Sequence, residues 1–127
     1  MPEQHLYEYA VIRYVPNVER EEFINVGVIL FSKRANYIKI RYHINKDKIR
    51  GFESETDLET LQEHLEAFEK ICTGAQNGGP IASLDVPERF RWLTAVRSAS
   101  LQTSRPHPGF AADLDATLEK LFQELVL

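Results

Sequence analysis

The chain has one cysteine, Cys72, so an internal disulfide is excluded. No stretch of its 127 residues approaches the roughly 18 uninterrupted apolar residues that a membrane span needs. The opening MPEQHLYEYA lacks a basic start followed by an apolar run, which argues against a secretory leader and for the cytoplasm. No metal-ligand spacing, phosphate-binding glycine loop or nucleophile elbow occurs, and four scattered histidines with one cysteine match no zinc pattern. No metal and no cofactor are therefore expected. Internal repeats and low-complexity segments are also lacking.

What is present suits one globular domain over residues 1–127, since 43% hydrophobic residues are too many for a disordered chain and enough for a core. The net charge of −4 disfavours a whole-protein attraction to nucleic acid, but the charge is unevenly placed. Lys33 to Arg50 holds seven basic residues against Asp47 alone, whereas Glu53 to Glu69 holds seven acids and no Lys or Arg. Such an asymmetry marks either a basic partner-binding face or two solvated faces.

Leu6 to Val15 alternates as a strand, with Tyr7, Tyr9, Val11 and Arg13 on one side, and Pro16 and Asn17 end it. After a charged connector, Glu19 to Phe23, the unbroken run Val26 to Phe31 predicts a central strand buried on both faces. A turn over Lys33 to Asn36 leads to a third strand, Tyr37 to His43, whose free edge could pair with a second copy in a homodimer. Thr56 and Glu59 form a capping box for a helix striped by Leu58, Leu61, Leu65, Phe68 and Cys72, which Gly74 stops. Cys72 lies on that stripe as a small buried hydrophobe.

Ala75 to Leu84 is a loop, Asp85 with Pro87 and Glu88 starts a brief helix to about Thr94, and Ala99 to Ser104 is weakly strand-like. Phe90 and Trp92 read as core anchors. Pro106 and Pro108 around His107, then Gly109, predict a rigid loop without regular structure. Asp113 caps a last helix striped by Leu114, Leu118, Leu121 and Leu125. The order βββαα(β)α predicts an α+β fold, with an antiparallel sheet of three to four strands, an N-terminal meander, and helices packed on one face.

The segment Arg89 to Phe110 concentrates four arginines, five hydroxyl side chains and the only tryptophan. Arg97, Ser98, Ser100, Thr103, Ser104 and Arg105 supply the guanidinium forks and hydroxyl donors that bind phosphate or carboxylate. Arg13 joins them as a candidate. If its strand face is covered, the charge requires a partner such as Glu22 or a bound anion, and otherwise the side chain reaches water.

Two functional classes follow. The first is a binding or adaptor module that docks an anionic partner, a phosphorylated protein, a nucleotide or nucleic acid. The second is a small phosphate-handling enzyme in which His107 does acid–base work, Arg97 and Arg105 hold phosphoryl oxygens, and Asp113 orients the histidine or a metal.

The blocks YEYAVIRYVPNVEREEFINVGVILF and RFRWLTAVRSASLQTSRPHPGF, followed by the leucine-striped helix, resemble the bacterial DUF3037 family, a domain of unknown function, over nearly the whole chain. The resemblance brings no established activity. It implies a bacterial protein and, because the family's members are encoded near HipA-like kinases, a protein partner of that kind.

Overall fold

A computed structural model describes residues 3–17, 22–50, 58–95 and 100–127. Five strands form one antiparallel sheet: β1 (His5–Asn17), β2 (Glu22–Ser32), β3 (Tyr37–Tyr42), β4 (Leu101–Thr103) and β5 (His107–Ala111). The order is β3-β2-β1-β4, and β5 also pairs with β1. Long β1 therefore carries β4 beside Ile12 to Tyr14 and β5 beside His5 to Tyr9. The α+β class and the antiparallel N-terminal meander are as the sequence predicts.

The helices are α1 (Lys46–Arg50), α2 (Leu58–Thr73), α3 (Val86–Leu93) and α4 (Leu114–Leu125). The short α1 lies in the polar stretch between β3 and α2, for which the sequence predicts no helix. Its first N–H groups, Asp47 N at 3.1 Å and Lys48 N at 3.2 Å, donate to Asn45 Oδ1, and Ile49 turns into the core. Asp85 and Asp113 cap α3 and α4 through bonds of 3.0 Å from Glu88 N and Ala116 N. Gly74, at φ +70°, takes the left-handed position that ends α2. Thr56, and with it half of the expected capping box, lies outside the described residues.

Both faces of the sheet are covered, which refines the expectation of helices on one face. Ala10, Ile12, Tyr14, Ile29 and Phe31 pack with Leu65, Phe68 and Phe90 of α2 and α3, while Val28 and Leu30 pack with Leu114, Leu118 and Phe122 of α4. The cause lies in β2, which is apolar on both sides from Val26 to Phe31 and must be shielded twice. A register shift between Ile12 and Arg13 places an extra residue in β2, so the inward-facing set moves from Ile24 and Val26 to Ile29 and Phe31. Gly27 sits at this bulge, where an added Cβ would lie 2.8 Å from Arg41 O.

Two prolines depart from the sequence reading. Pro16 lies within the end of β1, where a second irregularity falls between Tyr14 and Asn17. Pro108 lies inside β5, opposite Glu8, where a rigid loop was expected. Because β5 is an edge strand, one side of its backbone makes no ladder bonds, and a missing N–H is tolerated there. Phe90 is fully buried and stacks on Phe31 with ring centroids 4.7 Å apart, but Trp92 is 39% exposed rather than a core anchor.

Candidate anion-binding surface

Cations on β3 meet acids on α4. Lys39 Nζ lies 2.8 Å from Asp115 Oδ1, and Arg41 Nη2 lies 3.2 Å from Glu119 Oε2, with the guanidinium 4.6 Å from the Phe122 ring centroid. Tyr37 Oη donates to the same Asp115 oxygen at 2.8 Å. Hydrogen bonds from Lys39 and Tyr37 hold the Asp115 carboxyl below its usual range, while burial and then Asp115 push the Tyr37 phenol above its own. Lys48 Nζ reaches Val126 O at 3.4 Å. Much of the basic run from Lys33 to Arg50 thus serves to seat α4, which enters the chain some seventy residues later.

Arg13 is treated differently. It points to the α4 side of the sheet, and its guanidinium lies over the Phe23 ring at 4.3 Å from the centroid. Ion pairs between described residues are Lys39–Asp115, Arg41–Glu119 and Arg91–Glu8, and Arg13 belongs to none of them. Its Nε is buried without a hydrogen-bond partner. Across the ladder Arg13 faces Asn25 on one side and Gln102 on the other. Asn25 Nδ2 donates to Leu125 O at 3.0 Å, at the end of α4, which fixes the amide and leaves Oδ1 buried and unpartnered.

Asn25 and Gly27 stand out in the sequence at the start of the central strand, but nothing in the sequence ties Phe23, Asn25 or Gln102 to Arg13. Pairing of β1 with β2 brings Phe23 and Asn25 to Arg13, and pairing with β4 brings Gln102, while the one local signal is the departure of Asn25 from a largely apolar strand.

The hydroxyl candidates separate. Ser104 is buried and spent on the ladder: its Oγ accepts from Val11 N at 2.9 Å and donates to Arg105 O at 3.1 Å. Thr103 is opposite Ile12, and by strand alternation it faces the α2 side, away from Arg13. Ser100 lines a groove of about 230 Å³ with Phe68, Ile71 and Trp92, also on that side. Arg105 is exposed just beyond β4. Arg97 and Ser98 lie outside the described residues.

His107, exposed on β5, pairs in register with Tyr9, the two rings tilted at a centroid distance of 5.2 Å. The extended β5 puts about 13 Å between His107 and Ala111. Asp113 follows at that far end, with its carboxylate turned to the start of α4. The structure therefore does not bring Asp113 to His107.

Among the described residues, cavities include one of about 490 Å³ between β3 and α2, the groove beside Trp92, and one of about 350 Å³ where β1 begins. Arg13, Arg105 and His107 line none of them. They follow one another instead along the flank of β1 that β4 and β5 border, Arg105 and His107 exposed and Arg13 half-buried. Among the described residues no group of three or more His, Cys, Asp or Glu side chains is placed to hold a metal ion, and no helix is long and apolar enough to cross a membrane.

No curated protein and no solved structure matches the chain. Residues 9–126 match the family model described as a protein of unknown function (DUF3037), so that the chain, as its two sequence blocks implied, belongs to the DUF3037 family.

Proposed function

We propose that this protein is a binding or adaptor module that docks a negatively charged protein partner, a phosphorylated one first of all, on the β1 flank bordered by β4 and β5. The carrying observation is the unequal treatment of cations. Lys39, Arg41 and Arg91 each have an acid from their own chain, whereas Arg13 has an aromatic neighbour and an unused, buried Nε–H. A buried guanidinium donor without a partner is costly unless something else accepts from it. Arg105 adds a second, exposed guanidinium on the same flank, and His107 adds a ring held against Tyr9. Such a surface recognises charge without a catalytic group. The family's proximity to HipA-like kinases makes a phosphorylated protein the first partner to try, and the cytoplasm is where it would be met.

Fluorescence anisotropy with a labelled phosphoserine peptide, ATP and a single-stranded 12-mer separates the candidate anions. The phosphopeptide should bind, more weakly as salt rises. Arg13→Gln and Arg105→Gln should each reduce its affinity by about tenfold or more, the usual cost of one charge-assisted hydrogen bond. Equal binding by the two variants would remove this surface from the proposal. Binding of the 12-mer alone would replace the protein partner with nucleic acid.

A further inference from the structure

Helices α2 and α3 leave part of the face they pack on uncovered. Where β1 begins, beyond the bidentate Arg91–Glu8 pair that ties α3 to the sheet, the 350 Å³ cavity opens between the ends of β1, β2 and β5. Phe31 forms its floor, held in place by the buried Phe90 ring beneath it. Leu6 and Pro108 form its apolar walls, and Lys33 and Arg34 stand exposed at its edge on the β2–β3 turn.

Charge and apolar area both point outward from this cavity. Glu8 is its one acidic lining residue, and Arg91 compensates it through bonds of 3.0 and 3.2 Å. Lys33 and Arg34 take part in no ion pair between described residues, so the cavity mouth is positive. Leu6 and its cross-strand partner Phe110 continue the apolar surface outside the cavity, 52% and 67% exposed. A small amphipathic acid would fill the cavity and leave that pair wet, whereas a polypeptide covers both. Strand addition along β5 is disfavoured, because Pro106 and Pro108 deprive that edge of donors.

We infer that this cavity docks an acidic segment of a partner protein, which lies across the sheet, seats a bulky apolar side chain on Phe31 between Leu6 and Pro108, and gives a neighbouring carboxylate to Lys33 and Arg34. The inference rests on the reading of the protein as a docking module, but it does not depend on Arg13.

Selection of phage-displayed random dodecapeptides on the full chain, with the doubly substituted Lys33→Glu, Arg34→Glu protein as counter-target, tests it. The selected peptides should place Asp or Glu within two positions of Leu, Phe or Trp. A synthetic copy should shift the backbone amide resonances of Leu6, Glu8 and Phe31 to Arg34, and should bind the doubly substituted protein at least tenfold more weakly. Phe110→Ser should weaken it as well, and Arg13→Gln should leave it unchanged.

A pool without acidic enrichment, no enrichment at all, equal binding to the doubly substituted protein, or resonance shifts elsewhere would each overturn the inference. So would phenylacetate binding as tightly as the peptide, which would make the cavity a small-molecule site. If the phosphopeptide binds at Arg13 while no dodecapeptide reaches the cavity, this inference falls and the proposed function stands. The reverse result leaves the cavity as the docking site and removes the Arg13 surface.

Discussion

Ser104 and Val11 satisfy each other twice: Ser104 N donates to Val11 O at 2.8 Å, and Val11 N donates to the Ser104 hydroxyl at 2.9 Å. The side chain thus stands in for a backbone carbonyl where β4 has ended and β5 has not begun, and it keeps the β1 ladder free of an orphaned donor.

The Ser104→Ala variant should therefore lose stability, because it leaves the Val11 N–H buried without an acceptor, at a cost of about 1–3 kcal/mol. Urea unfolding followed by circular dichroism measures this directly. An unchanged midpoint, with weakened anion binding in its place, would show that the hydroxyl serves a ligand rather than the ladder.

Cys72 is fully buried on α2, and burial is the main reason its thiol is pushed up to about 12 from an ordinary 9.0, against the lowering effect of Arg89. The folded chain holds this proton more tightly than the unfolded chain does. The corresponding stability is whole below about pH 9 and drains away as pH climbs toward 12. Native protein at pH 8 should react with a thiol reagent only as fast as it unfolds, and Cys72→Ala should flatten the alkaline arm of the stability–pH curve. Rapid labelling of the native state would contradict the buried placement.

Asp115 works in the opposite sense. Bonds from Lys39 and Tyr37 lower its carboxyl below the ordinary 3.8, so its contribution is present above that value and is lost as pH falls through the lower, folded one. Asp115→Asn should leave the stability of the chain less sensitive to acid below about pH 4, as thermal melts between pH 2.5 and 6 would reveal. Because the pair is exposed, the change should be small and should shrink in high salt. A variant as acid-sensitive as the parent would show that the Asp115 pair contributes nothing to seating α4.

Much of the framework could be read from local pattern. The stripe Leu61, Leu65, Phe68 and Cys72 carries helical spacing within itself, and Asp85 and Asp113 cap the helices that follow them by contacts three residues long. Such signals require no knowledge of the rest of the fold. β5 departs from the local pattern because the proline rules describe the donor that Pro108 lacks and not whether a neighbour needs it, and edge position is a property of the whole sheet. The aromatic character of Trp92 suggests an inward position, but its place on α3 turns it partly to solvent.

The candidate site was less legible for the same reason. Arg13 could be named, but Phe23, Asn25 and Gln102 become its neighbours only through pairing with two other strands. The basic run at Lys33 to Arg50 looks like a free cationic face until α4 brings Asp115 and Glu119 to Lys39 and Arg41. The cavity beside Lys33 and Arg34 left no mark at all, since its lining comes from three separate stretches of chain.

The amino-acid order by itself determined most of the strands and helices, β5 and α1 excepted, where α3 and α4 start, and that β2 must be apolar on both sides, because propensity, capping and periodicity act over a few residues. Tertiary structure alone decided which cations find acids of their own and which stay available, because charge compensation depends on distances between side chains far apart in the chain.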